Sequence, residues 1–223
     1  MEQRLEPEPW PRHRHRRAYA AFVLSGGYIE AGAEGRWRAE AGDILAHPAF
    51  DTHQNAAVGR SLVLNIPLPA TANLPPVFRV ADPDELERVW RHDPALAGAF
   101  LTPIAARPPL LEDWPDLLAA DLRDDPSLSL SRWARIQGLA PATVSRGFSA
   151  AFGAPPSVLR TERRARRTLR DVITTDAPFA AIAHDRGFAD QAHLSRAVRA
   201  LSGFSPSHWR RVKFIQDGSV GPL

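Results

Sequence analysis

Apolar positions recur at helical spacing through the C-terminal part of the chain and come in short runs through the N-terminal part. In residues 178–210, Phe179, Ile182 and Ala183 predict a short helix that stops at Gly187, a residue suited to a left-handed cap. A second helix starts after Asp190, an N-cap residue type, and carries Leu194, Ala197, Val198 and Leu201. Gly203 and Pro206 end it. With Leu194 centred on the buried face, Ala192, Ser195, Arg196 and Arg199 fall on the open one. Two short helices about a glycine turn, the second with a basic outer face, predict a helix-turn-helix.

The pattern occurs twice. Ser145-Arg146, Gly153, Pro156 and Arg160 keep the mutual spacing of Ser195-Arg196, Gly203, Pro206 and Arg210. Leu130, Ala134 and Gly138-Leu139 match Phe179, Ala183 and Gly187-Phe188, with one residue fewer in the first turn. In this first copy Ser129, or the neighbouring Ser131, caps a helix holding Leu130, Trp133, Ala134 and Ile136. Pro141 opens the next helix, which buries Val144, Phe148, Ala151 and Phe152 and turns Ala142, Ser145 and Arg146 outward. Gly147 inside that helix costs roughly 1 kcal/mol of propensity against Ala. Residues 157–174 join the two motifs as one helix on Ala165, Leu169 and Val172, its remaining surface carrying Arg160, Arg163, Arg164, Arg166, Arg167 and Arg170. Such a helix spans roughly 27 Å, a spacer suited to two recognition helices about one DNA turn apart.

The N-terminal part reads as β. Residues 1–11 form an extended lead-in, and Tyr19 to Leu24, Tyr28 to Glu30 and Ser61 to Ile66 are strands punctuated by Gly26-Gly27, Gly32, Gly35, Gly42 and Gly59. Short strands with glycine turns predict a small sandwich or barrel. Residues 70–79 read as a linker. Asp82 then caps a helix with Pro83 at its first position and Leu86, Val89 and Trp90 as its apolar stripe. Residues 94–101 and 114–122 are further amphipathic helices, split by a loop over 103–109.

Charge separates the same two parts. Residues 1–125 hold 13 Arg against 19 acidic residues, a balance of −6; residues 126–223 hold 15 basic against 6 acidic, a balance of +9. A basic half beside an acidic one points to nucleic acid as the partner of the former. The absence of cysteine excludes disulfides, thiolate metal sites and cysteine nucleophiles. No apolar run has the length of a membrane span, and residues 1–17 are too charged for a signal peptide. The expectation is a cytoplasmic, nucleoid-associated protein with no membrane partner. Arg outnumbers Lys 27 to 1, a sign of GC-rich bacterial coding.

Ile182-Ala183, Gly187-Phe188, Asp190, His193-Leu194-Ser195-Arg196, Gly203, Ser205-Pro206 and Arg210 carry a dense resemblance to the second motif of the AraC/XylS transcription regulators. Val198 stands where that family customarily has Phe, and Trp209 where it has Tyr. The resemblance implies a double helix-turn-helix that binds double-stranded DNA and acts on RNA polymerase. Its DNA-contact candidates are Ala142, Thr143, Ser145 and Arg146 in the first copy and Gln191, Ala192, His193, Ser195, Arg196 and Arg199 in the second. Arg146 and Arg196 lead, because a guanidinium pairs bidentately with guanine; the alternative is a structural ion pair with Asp185 or Asp190. Arg163, Arg166 and Arg167 are weaker, phosphate-contact candidates, with a solvated face as the alternative.

His13-x-His15, Tyr19 and Gly26 fit the first cupin motif with Tyr in place of its Glu; Gly42, Pro48 and His53 fit the second, with Phe50 and Ala57 in place of its Gly and Asn. The segment therefore resembles a cupin barrel. That resemblance implies a pocket of His13, His15, Tyr19 and His53 for a small-molecule effector, with a divalent metal at His13, His15 and His53 as the candidate cofactor. The bland reading makes these histidines pocket lining; His47, next to Pro48, is assigned to structure. The expected fold is α+β with two domains: a cupin-like β-barrel with accessory helices over 1–78, a helical linker and dimerisation segment over 79–125, and an all-α double helix-turn-helix over 126–223. The leading function is a ligand-controlled transcription regulator without enzymatic activity. The rivals are a metal-dependent cupin enzyme fused to a DNA-binding domain, and a regulator whose cupin only dimerises.

Overall fold

The computed structural model describes residues 1–57 and 59–216 and divides into two compact units, Met1–Arg160 and the residues from Thr161 onward. The first unit contains two antiparallel sheets. Strands β1 (Glu2–Leu5), β3 (Tyr19–Ser25), β6 (Ile44–His47), β8 (Ser61–Pro67), β9 (Val77–Arg79) and β10 (Ala105–Ala106) form one, in the order β1-β8-β3-β6-β9-β10. Strands β2 (Pro9–Arg14), β4 (Gly27–Gly32), β5 (Gly35–Glu40) and β7 (Thr52–Ala57) form the other, in the order β2-β7-β4-β5.

Strand alternation sorts the side chains into layers. On β3, Ala20 and Phe22 point outward into a core with Ile44, Leu64, Ile66 and Phe78, which helix α1 (Pro83–His92) covers with Leu86 and Trp90. Ala21 and Val23 point the other way, toward Tyr28, Trp37 and Ala39 of the smaller sheet. The cap at the start of α1 forms as the sequence predicts, Asp82 accepting from the Glu85 amide at 2.7 Å. Residues 94–101 form a 3-10 turn, Leu96–Phe100, rather than an α-helix. The expected linker over 70–79 is partly sheet, since Val77 and Phe78 are buried in β9 and pair with Leu45 and Ile44.

Two buried carboxylates staple this unit. Asp43 accepts from Arg79 Nε at 2.8 Å and from Arg107, which holds the 103–109 loop against β9. Asp116 accepts both Arg36 Nε and Nη2 at 2.8 Å, which pins helix α2 (Trp114–Asp124) to β5. Arg36 is itself largely buried, so removing it would leave Asp116 as an uncompensated buried charge, typically at a cost of about 3–5 kcal/mol.

The second face of the smaller sheet mixes small apolar with polar positions, and it is covered by helices the sequence assigns elsewhere. Ala31 and Ala33 share a cluster with Leu118, Ala119 and Leu122 of α2 and with Trp133, Ala134, Val144, Phe148 and Phe152 of helices α3 (Leu130–Ile136) and α4 (Pro141–Phe152). Leu159, in the first turns of α5 (Pro156–Thr174), closes it. The first helix-turn-helix is therefore part of the barrel unit. The boundary expected at 125/126 runs through this cluster, and the compact unit ends instead at Arg160, within α5.

The second unit holds the remainder of α5 with α6 (Phe179–Asp185), α7 (Gln191–Ser202) and α8 (Pro206–Gln216). Ile182, Ala183, Phe188, Leu194, Val198 and Leu201 supply its buried face. The duplication seen in the sequence has a structural counterpart. Arg160 donates to the Leu128 carbonyl at 2.6 Å, and Arg210 to that of Ala177 at 2.8 Å, so each copy ties its last helix to the chain just ahead of its first.

Gly147 is explained by its neighbour. A Cβ there would lie 2.5 Å from Cζ2 and 2.9 Å from Cη2 of Trp114, so the glycine is a docking notch for α2. Gly147→Ala gains roughly 1 kcal/mol of helix propensity and loses about 1–3 kcal/mol to overpacking. We expect a net fall in thermal midpoint of a few degrees, read by circular dichroism. In a Trp114→Leu background the same change should be stabilising; a stabilising effect with Trp114 intact would contradict the packing.

Candidate DNA-reading face and histidine pocket

Helix α7 is built to present one face. Asp190 caps it by accepting the His193 amide at 2.6 Å, and Gly187 and Gly203 take left-handed conformations, φ 68° and 82°, that turn the chain before and after it. Leu194, Val198 and Leu201 are buried. Opposite them, Gln191, Ala192, Ser195, Arg196 and Arg199 line one shallow, open depression. Among the described residues neither Arg196 nor Arg199 has an ion-pair partner. Asp190 is engaged by its cap and Asp185 lies 3.4 Å from His184 Nδ1, so neither provides the ion pair considered for Arg196. His193 is half-buried with its ring edge-on to Phe188, a packing role set apart from the five residues of the depression.

In α4, Ala142, Thr143, Ser145 and Arg146 are exposed together, and Arg146 has no ion-pair partner among the described residues. The far end of α4 is held by the barrel. Arg12 Nη1 donates to the Phe152 carbonyl at 2.9 Å, and Gln54 Nε2 to that of Ala151 at 2.8 Å. These side chains satisfy carbonyls that a helix C-terminus otherwise leaves open, and Arg12 also places a cation at the negative end of the helix dipole. Gly153 makes this approach possible, since a Cβ there would lie 2.5 Å from Gln54 Oε1.

On α5, Arg163 and Arg166 are buried, 6% and 8% exposed. Their expected place on an open, phosphate-facing surface is corrected accordingly. A wheel drawn on Ala165, Leu169 and Val172 alone missed that the apolar stripe is flanked by further packing. Arg167 is half-buried and Arg170 exposed.

The histidines converge as the sequence predicts, and two more groups join them. His13 lies within 4.7 Å of both His15 and His53, ring centre to ring centre, and Tyr19 within 4.8 Å of His15. His47, assigned to structure, stacks on Tyr19 at 4.4 Å and lies 4.5 Å from His53. Its assignment is corrected: pairing of β3 with β6 sets it opposite Tyr19, where it faces the pocket. Glu30 is buried in the same wall, with Oε2 3.6 Å from His47 Nε2. Alternation from the buried Tyr28 could have found Glu30, because residues two apart share a strand face. Asp51 accepts from Nδ1 of His47 and Nδ1 of His53, each at 3.2 Å. Among the described residues two sets have donor atoms close enough to share a metal ion: His13, His15 and His53, and Glu30, His47 and His53.

The pocket favours neutral groups. Burial first, then the neighbouring histidines, push His15 down to about 4. Burial first, reinforced by Asp51 and opposed by His53, pushes Glu30 up to about 7. Burial also raises the Tyr19 phenol beyond its ordinary range, which keeps it protonated.

A helix-turn-helix domain family matches residues 133–212, a span that begins in α3 and takes in both copies. A Streptomyces antibioticus protein described as an AraC-like transcription regulator is 30% identical over 92 residues, which are 40% of this chain and 30% of that relative's length. The chain thus spans about a third of that relative. Among solved structures, the C-terminal domain of AraT, a response regulator from Geobacillus stearothermophilus, is 27% identical, with 39% of this chain and 71% of that one covered at a TM-score of 0.36. A fatty-acid-bound ToxT of Vibrio cholerae is 9% identical, with 99% and 96% covered at a TM-score of 0.42. No helix among the described residues is long and apolar enough to cross a membrane.

The carboxyl of Glu30 generates a pH prediction. Its folded value lies above the ordinary 4.5, so its stabilising contribution is complete below about 4.5 and is lost as pH rises through about 7. For His15 the sign is opposite: its contribution is present above 6.5 and is lost as pH falls toward 4. The His15 contribution is common to wild type and Glu30→Gln, so chelator-treated wild type should lose roughly 2–3 kcal/mol relative to Glu30→Gln between pH 5 and 8. Thermal midpoints across this range check it; parallel curves for the two proteins would reject the assignment.

Proposed function

We propose that this chain, whose C-terminal domain is of the AraC/XylS type, is a one-component transcription regulator: a double helix-turn-helix reads promoter DNA, and an effector in the histidine pocket controls it. The domain match carries the DNA-binding half of this reading. Arg196 and Arg199 at the open face of α7 supply base-reading or phosphate-binding donors, with Arg146 as the equivalent in α4. Ala192 and Ala142 reach no further than a thymine methyl, so DNA shape contributes to selectivity. Contact with RNA polymerase and homodimerisation belong to the same proposal.

One observation supports control by the pocket. His13 and His53 pair across β2 and β7, and the residues next to them in sequence, Arg12 and Gln54, hold the last carbonyls of α4. Adjacent strand residues point to opposite faces. A ligand held by His53 therefore acts on β7, and through the β2–β7 pairing on both strands that anchor a DNA-reading helix. The pocket has chemistry for binding, and the helix-turn-helix domain match in the same chain favours regulation over catalysis.

Two measurements test the reading. Arg196→Ala should cost about 1–3 kcal/mol on a duplex recovered by genome-wide mapping and much less on a scrambled one, measured by anisotropy at several salt concentrations. Equal losses on both would make Arg196 a phosphate contact; no loss would remove it from the interface. Arg12→Ala combined with Gln54→Ala should still occupy the mapped promoter while a reporter there ignores the growth conditions that switch the wild type. A normal response would disconnect the pocket from α4.

A further inference from the structure

We propose that the pocket holds a divalent first-row metal ion on Glu30, His47 and His53, with Asp51 as the carboxylate that orients both imidazoles. The proposal rests on the reading of the pocket as the effector site and gives that effector a chemical class. It moves the site from the His13–His15–His53 set that the sequence motifs suggest to one lying deeper in the wall.

The donors are preorganised. Glu30, His47 and His53 are 6%, 1% and 1% exposed, and their donor atoms all lie within 4.8 Å of one another. Asp51 takes Nδ1 of both imidazoles at 3.2 Å, which fixes the Nδ1–H tautomer and leaves a lone pair on Nε2 of each ring. That arrangement, a carboxylate behind a histidine, recurs behind metal-binding imidazoles. Glu30 Oε2 is buried without a hydrogen-bond partner, and the 3.6 Å separating it from His47 Nε2 is too long for one. A buried carboxylate oxygen with no donor is costly unless a cation compensates it. Two histidines and a carboxylate are a recognised donor set for zinc and for iron(II) with open positions.

Charge separates the two sets. Three neutral imidazoles at His13, His15 and His53 would leave a divalent ion's charge uncompensated. Glu30 and Asp51 together bring two negative charges to the deeper set. His13 is also half-exposed, with Nδ1 3.0 Å from the Pro11 carbonyl, whereas His15 keeps a buried Nε2 with no hydrogen-bond partner beside His53. His15 is placed to accept from a water on the ion.

The backbone gives an independent sign. Phe50 has φ 63°, in the left-handed region that disfavours a bulky residue. It lies in the turn that carries His47, Asp51 and His53, and two backbone bonds clamp that turn to His15: His15 N to Asp51 O at 3.0 Å and Phe50 N to His15 O at 2.8 Å. Strain of this kind persists where the surroundings over-determine a functional geometry.

The test uses the full chain, stripped with chelator and titrated with Co²⁺ followed by its visible bands, then with Zn²⁺ in competition. The wild type should bind about one ion per chain. Glu30→Gln, which keeps the shape and removes the buried charge, should weaken binding about 100-fold or more, and Asp51→Asn about 10–100-fold. His13→Ala, at the exposed rim, should stay within about threefold of the wild type and keep its cobalt spectrum. Circular dichroism of each metal-free variant checks folding. Should Glu30→Gln fail to fold, His13→Ala still decides, because loss of binding there overturns the proposal. A wild type that binds neither ion also overturns it, while DNA binding measured on the same preparation tells whether the regulator reading survives.

Discussion

The seating of α2 and α4 on the outer face of the small sheet is the contact on which the rest of the structure depends. Ala31 on β4 and Ala33 in the turn after it are small enough to let helices lie close, while Arg12, Arg36 and Gln54 around them bind those helices by hydrogen bonds. Leu118, Ala119 and Leu122 cover part of that face, and Val144, Phe148 and Phe152 cover more. Fully burying each large residue among these contributes about 1.5–3 kcal/mol. Helix α4, the first candidate recognition helix, is thus packed into the β-sheet unit. Every change that reaches β4 or β7 reaches that helix through packed atoms, with no linker between.

The two copies of the motif have accordingly diverged in surroundings more than in internal geometry. Both keep a left-handed glycine between their helices, Gly138 and Gly187, and a left-handed glycine cap, Gly153 and Gly203. Only the first carries a notch for another helix and side chains from β2 and β7 at its end. The second keeps an open face lined by Arg196 and Arg199.

Much of this was legible in the sequence. Helical spacing, caps and glycine turns located α3, α4, α6 and α7, because those signals are local and each has its own mechanism. The convergence of His13, His15 and His53 followed from motif spacing. The domain boundary was not legible: whether Phe148 packs within its own motif or against Leu118 is decided by long-range contact, and both choices look apolar in sequence. Gly147 read as a flaw for the same reason, its partner Trp114 being remote in sequence. His47 was assigned to structure because it falls outside both histidine motifs, and Glu30 was missed although alternation from Tyr28 places it on the inner face. Arg163 and Arg166 read as surface because arginine is seldom buried. The linker helix shows that a cationic side chain can nevertheless lie inside.

The closure of the barrel's wall by Leu159 also has a bearing on the order in which the chain acquires its structure during synthesis. Strand β1 pairs with β8, and the outer cluster joins Ala31 to Leu159, so the contacts that complete the unit are among the most distant in it. Pairings of this kind form slowly, since the intervening loop must close before they are rewarded. A nascent chain that has emerged only as far as α2 has its strands but leaves Leu118, Ala119 and Leu122 without Val144, Phe148 and Phe152 to cover them, a condition that exposes intermediates to aggregation. In this protein α3 and α4 complete the outer hydrophobic cluster, so the first helix-turn-helix must be synthesised before the apolar side chains of α2 are covered.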